Sequence, residues 1–198
     1  KRGKEIKRDL ETIYTGNTAR SAGSASSGRV TAGLGAWVAT NVNKAGDGTN
    51  PTAVDGSDAR NDGTKRDFTE PMLKDVMQLA YKQGGNPSML MVGPYNKSVV
   101  SGFAGIAAQR YQAPTIIGAA DVYLSDFGAL TVVPNRFSRE RDAWCLDTEF
   151  ASIATLRPIQ AVDLAKTGDA EKKMLICETG LKVSNEKAHG LIADLNET

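Results

Sequence analysis

Residues 69–103 read TEPMLKDVMQLAYKQGGNPSMLMVGPYNKSVVSGF, and the order of signals in this stretch decides the fold class. Thr69 is a suitable N-cap, Pro71 is tolerated in a first turn, and Leu73, Val76, Met77 and Ala80 recur at helical spacing. Gly84 and Gly85 end that helix, and Asn86-Pro87 turns the chain. Met89 to Val92 is an unbroken apolar run, the signature of a strand covered on both faces. Gly93-Pro94 breaks the run, and Pro94 near the first helical position opens a second helix predicted to reach about Phe103. Helix, buried strand and helix in succession indicate an α+β or α/β core layer.

Downstream, residues 121–134 read as a hairpin. Val122 and Leu124 alternate with Tyr123 and Ser125, Asp126-Phe127-Gly128 supplies a three-residue connection, and Ala129 to Val133 returns. Further strands are predicted at Trp144 to Leu146, Ile153 to Leu156 and Met174 to Val183, the last long enough to present an edge that needs a partner. Upstream, residues 4–15 form an amphipathic helix with Ile6, Leu10, Ile13 and Tyr14 on one side and Lys4, Arg8 and Glu11 on the other. Gly16-Asn17 stops it. Thr18 to Gly35, rich in Ser, Gly, Ala and Thr, reads as a flexible connection unable to build a core. Ala36 to Val42, around Trp37, is compatible with strand or helix. Fifteen of the 24 residues from Asn41 to Thr64 are Gly, Asp, Asn or Thr, which predicts a long mobile surface loop with a contact role and no fixed chemistry.

The chain has 198 residues, 40% of them hydrophobic, enough for one domain with a core of its own or one domain plus an extension. Lys and Arg number 24 against 23 Asp and Glu, and the resulting net charge of +1 lacks the basic excess of a dedicated nucleic-acid binder. Charge is uneven, however: residues 1–29 hold seven basic and three acidic side chains, residues 144–198 six and nine. That polarity either steers contacts between copies or marks two differently solvated faces. Two cysteines, Cys145 and Cys177, sit in apolar strand-like runs and read as free thiols. No window holds 18 consecutive apolar residues and the N-terminus is charged, so a soluble protein made in a reducing cytoplasm, without membrane contact, is expected. Lys1 stands inside a helical pattern, which suggests that an upstream segment has been removed.

Catalytic constellations are scarce, and no catalytic, cofactor-binding or metal-ligating residue is assigned. A hydrolase would have to combine Ser24 or Ser26 with the single His189, which lies in a polar C-terminal stretch. Two cysteines 32 positions apart and one distant histidine lack zinc-ligand spacing. Asp47, Asp55, Asp58 and Asp62 crowd one loop but lack the alternating positions of a calcium loop, and solvated carboxylates are the alternative. Gly23 to Gly28 contains no Walker lysine. Arg136, Arg139, Glu140 and Arg141 surround Phe137 and read as a subunit-interface or ion-pair cluster. The alternative is a nucleic-acid-contacting module that uses Arg136, Arg139 and Arg141 with the basic first helix.

Longer strings carry more information. Residues 1–11, KRGKEIKRDLE, resemble the long-helix segment of tailed-bacteriophage major capsid proteins of the SU ten-like branch. Asp62-Gly63-Thr64 before Phe68-Thr69-Glu70 is similar to that family, as is Gly84-Gly85-Asn86-Pro87 before Met91-Val92-Gly93-Pro94. So are Ser125-Asp126-Phe127-Gly128, Val132 to Phe137, Arg139-Glu140-Arg141, Leu156-Arg157-Pro158 and Leu164 to Asp169, all in the same order. The resemblance implies an α+β protein of the Hong Kong 97-type capsid fold. Residues 1–16 would belong to the spine helix, 17–29 to a flexible connection, 30–155 to the A domain and 156–198 to return strands of the P domain. The N-terminal arm, extended loop and earlier P-domain strands would precede Lys1. It further implies a shell subunit without catalysis or cofactor, made in the host bacterial cytoplasm and located in the virion. Its partners would be copies of itself in hexamers and pentamers, packaged DNA through weak non-specific contact, and portal, scaffold or decoration proteins.

Overall fold

The computed structural model describes residues 2–103, 122–166 and 168–198. Lys1, Asp121 at the start of the predicted hairpin, and Thr167 lie outside them. In chain order the elements are α1 (Arg2–Tyr14), β1 (Val42–Asn43), α2 (Glu70–Lys82), β2 (Met89–Val92), α3 (Pro94–Val100), β3 (Val122–Ser125), β4 (Gly128–Pro134), β5 (Ala143–Leu146), β6 (Ala151–Asp163), β7 (Lys173–Val183) and β8 (Gly190–Ile192). Six strands form one mixed sheet in the order β1-β8-β5-β2-β4-β3, and β6 and β7 form a separate two-stranded ribbon.

The apolar run of β2 lies inside the sheet, parallel to β4 and antiparallel to β5. Alternation sends its side chains both ways. Leu90 and Val92 join Ala143 and Cys145 of β5 on the face packed by Leu73, Val76 and Met77 of α2 and Val100 of α3. Met91 joins Trp144 and Leu146 on the other face, against Leu34 and Val38, with Leu181 and Val183 of β7 flanking. Two covered faces explain why β2 and β5 are apolar at successive positions. The α2 helix ends as its glycines predict: Gly84 takes φ +82°, and the Gly85 N–H reaches the Ala80 carbonyl at 3.0 Å.

The hairpin is tighter than predicted. Ser125 pairs with Gly128, so the connection is only Asp126-Phe127, and Gly128 starts β4 at φ +134°. Gly128→Val therefore places a β-branched residue in a backbone region it avoids, and a loss of about 1–3 kcal/mol is expected in a urea titration. α3 also stops earlier than predicted, at Val100, with Phe103 folded back in a turn onto the Val100 carbonyl. β6 runs seven residues beyond Leu156. Pro158 is accommodated because it falls within a shift of the β6–β7 register, between Arg157 and Gln160, where it has no ladder partner.

Two further expectations change. The segment from Thr18 to Gly35 is not slack: Ser21 and Val30 exchange backbone hydrogen bonds at 2.9 and 3.0 Å, and Ala32 and Leu34 are buried. Gly33 is needed because a Cβ there would stand 2.3 Å from the Gly16 carbonyl oxygen. The loop from Asn41 to Thr64 carries fixed chemistry, since Asn41 and Arg60 are buried within it. The ribbon begins at Ala151, and the chain after Val183 re-enters the six-stranded sheet, where β8 fits between β1 and β5.

Candidate assembly surface and a buried ion cluster

The turn after β4 carries the basic run singled out in the sequence, and the structure separates its members. Arg136 is exposed and forms no ion pair with the described residues. Glu140 contributes its carbonyl, which accepts from Asn96 Nδ2 at 2.8 Å. Arg139 and Arg141 point into a cluster that local sequence could not show. Arg139 Nη1 meets Asp142 at 3.0 Å, and its Nη2 is bonded to Asp62. Arg141 Nη2 meets Asp194 at 3.2 Å and donates to the Gly63 carbonyl at 2.6 Å.

At the centre lies Arg60, whose side chain has no solvent exposure. Its Nη1 lies 3.0 Å from Asp62 and 3.5 Å from Asp142, and its Nη2 lies 3.1 Å from Asp194. Three guanidiniums thus face three carboxylates, a neutral set when all are ionised. Asp194 takes a left-handed φ of 63°, aiming its oxygens at the N–H groups of Gly63 (2.8 Å) and Ala45 (3.1 Å). One side chain near the C-terminus therefore grips both ends of the 45–63 segment. Burial alone would raise the Asp194 pKa, but those N–H groups and Arg60 outweigh it and the carboxyl is held below its ordinary range. Asp142 differs. Burial dominates over Arg139 and Arg60, and its pKa is pushed up to about 6.

The carboxylates considered for calcium are engaged individually. Asp47 accepts from Thr64, Asp55 from Arg20 and Ser57, and Asp58 from Thr52. Among the described residues, no group of three or more His, Cys, Asp and Glu is placed to hold a metal ion. His189 is fully buried, its Nδ1 accepting from the Asp147 N–H at 3.2 Å, whereas Ser24 and Ser26 hydrogen-bond each other in an exposed turn. The structure does not bring these serines to the histidine. Cys145 and Cys177 are free, and burial pushes the Cys145 thiol up to about 12.

The surface around the ribbon has a different character. The ribbon leaves Ile153 59% and Leu156 74% exposed on a two-stranded element, which by itself is marginal in water. Its base is tied to α1 by a hydrogen bond between the Tyr14 and Thr179 hydroxyls, and to the 18–35 segment by Leu181 N–H donating to Thr31. Between ribbon, α1 and that segment runs an open groove of about 1420 Å³, lined by Leu10, Arg20, Arg29, Leu156, Arg157 and Cys177 among others.

A family model described as SU10 major capsid protein matches residues 1–196, nearly the whole chain and all of these elements. The chain belongs to the SU10 major capsid protein family. Solved structures also match the chain. One is a chain of "Satellite phage P4 procapsid including size determination (Sid) protein", at TM-score 0.52 and 14% identity, covering 98% of this chain and 62% of that one. Another is the "Crystal structure of virus-like particle from Pyrococcus furiosus", at TM-score 0.40 and 14% identity, covering 65% and 54%. The chain therefore spans 54–62% of the length of these structures. No curated protein matches it. As a member of the SU10 family, this mixed α+β chain shares with a procapsid chain a fold that sequence identity of 14% would not reveal.

Proposed function

We propose that this SU10-family chain is a structural subunit of the head shell of a tailed phage or prophage, built to bind identical copies and not to transform a substrate. The family match over residues 1–196 carries the reading. The likeness to the P4 procapsid chain supports assigning it the Hong Kong 97-type fold. In that assignment α1 is part of the spine helix, the six-stranded sheet with its helices is the A domain, and the β6–β7 ribbon belongs to the P domain. The C-terminal stretch after Val183 goes with the A domain, because β8 completes its sheet.

The physical features suit this role. An apolar ribbon and an open groove offer contact area, while the buried cluster keeps the 45–63 segment in shape for a neighbour to meet. Repeated heterologous contacts of one such surface with another close into rings, giving hexamers and pentamers. The subunit would be made in the host bacterial cytoplasm and reside in the virion, with portal, scaffold or decoration proteins as further partners. Contact with packaged DNA would be weak, since Arg139 and Arg141 are already neutralised by carboxylates, and of that run Arg136 alone forms no ion pair among the described residues. The same neutralisation counts against a nucleic-acid-binding module. Expression of the gene encoding this chain, followed by electron microscopy of the product, is expected to show closed shells or rings of five and six. Monomer alone across a range of pH, salt and protein concentration would overturn the proposal.

A further inference from the structure

The buried ion cluster has one member out of balance. Asp142 has no solvent exposure, yet among the described residues its Oδ1 lacks a hydrogen-bond partner, with Arg60 Nη1 at 3.5 Å. Only Oδ2 is well held, by Arg139 at 3.0 Å. The groups facing it are Arg60 and Asp62 from the 45–63 segment, Arg139 from its own turn and Asp194 from the C-terminal stretch. Arg141 bridges Asp62 and Asp194, while Asp47 and Arg66 act on Asp194 from the next ring outward. The segment that covers Asp142 with Arg60 is the one whose two ends Asp194 grips.

We propose that this cluster is a proton-operated fastener, in which uptake of one proton at the Asp142 carboxyl tightens the hold of the 45–63 segment on the sheet and its loss at neutral pH loosens it. The sign follows from which state binds the proton more tightly. Covered by the segment, Asp142 is a desolvated carboxyl whose charged form is disfavoured, and it titrates at about 6. Lifting the segment admits water and returns the group toward its ordinary value of 3.8. Protons therefore favour the fastened state, and the gain accumulates as pH falls from 7 toward 4. Asp194 and Asp47 have lowered pKa values, so their titration falls below this window and opposes fastening only in stronger acid. For a shell subunit, the consequence is a contact segment that is easier to rearrange at neutral pH and firmer in mild acid.

Hydrogen exchange of the chain at pH 7 and pH 5, corrected for intrinsic rates, tests this. A carboxyl moving between about 6 and 3.8 takes up nearly one proton across that interval, so protection of amides in 45–63 is expected to rise about tenfold. Asp142→Asn should abolish the difference. His189, whose burial lowers its own pKa, lies against Asp147 and Glu186 away from the cluster, and comparison of the two proteins cancels its contribution. Flat protection in the unsubstituted chain, or a tenfold change retained in Asp142→Asn, overturns the proposal. Should the variant fail to fold, the unsubstituted chain decides alone. A carboxyl midpoint for Asp142 above pH 5 by carbon NMR together with the tenfold rise supports the fastener, and the absence of either overturns it.

Discussion

Arg60→Met is expected to lower the stability of the fold by about 3–5 kcal/mol, read as a fall in the urea midpoint at unchanged slope. The substitution keeps most of the side chain's length and removes its charge. What remains is the problem: Asp142 and Asp194 are fully buried and Asp62 partly so, three carboxylates that lose the guanidinium lying between them. Arg139 and Arg141 cannot make up the difference, since each is already committed to the same carboxylates. The loss arises from uncompensated buried charge and not from a missing attraction, so it should shrink when a carboxylate is removed as well. Arg60→Met combined with Asp142→Asn should cost less than the two changes added separately. Arg136→Met serves as the contrast, because Arg136 is exposed and forms no ion pair with the described residues, and a change within about 0.5 kcal/mol is expected. Equal midpoints for the Arg60 and Arg136 variants would remove the cluster from any account of this fold.

The elements that could be read from sequence are those whose period is long enough to register. α2 shows four apolar positions on one stripe, all four of them buried, and β2 shows an apolar run that the structure covers on both faces. β5, an apolar run buried throughout, was legible for the same reason as β2. β8 was not: three residues, Gly190-Leu191-Ile192, carry no period, and the polar residues before them concealed that the strand lies inside the sheet. The family strings were legible across the chain because they are long and ordered, a kind of information that composition does not hold.

The cluster was half visible. Arg139 and Arg141 stand out as a basic run, but Arg60 is hidden in a loop of Asp, Asn and Gly that resembles a solvated connection, and its partner Asp194 is 134 residues away. Nothing local marks that pair. Small residues misled in the same way. Gly33 and Gly35 look like flexibility in a list of Ser, Gly and Ala, whereas here they permit the backbone to lie directly against Gly16 and Asn17. Glycine has two uses, slack and close approach, and sequence alone does not separate them.

Gly190 is the sharpest instance of the second use, and Gly190→Ala is expected to cost about 3 kcal/mol. A Cβ at this position would stand 2.2 Å from Cγ1 of Val76, far inside any real contact distance. Neither side can yield easily. Gly190 is the first residue of β8, paired with Cys145 of β5. Val76 is fully buried on α2, and a β-branched side chain in a helix has essentially one rotamer. Either α2 lifts from the sheet or β8 shifts in its register, and both open the core around Leu73, Met77 and Ile192. A single pair of atoms is then the cause, and it can be tested as such. Val76→Ala alone removes two buried methyl groups and should cost about 1–2 kcal/mol through the cavity it leaves. In Gly190→Ala/Val76→Ala the new methyl enters that cavity, so the double variant should be more stable than Gly190→Ala alone, with a coupling of about 1–3 kcal/mol. Strictly additive costs would show that the small residue at 190 is required for the backbone path of β8 instead of for the approach of α2.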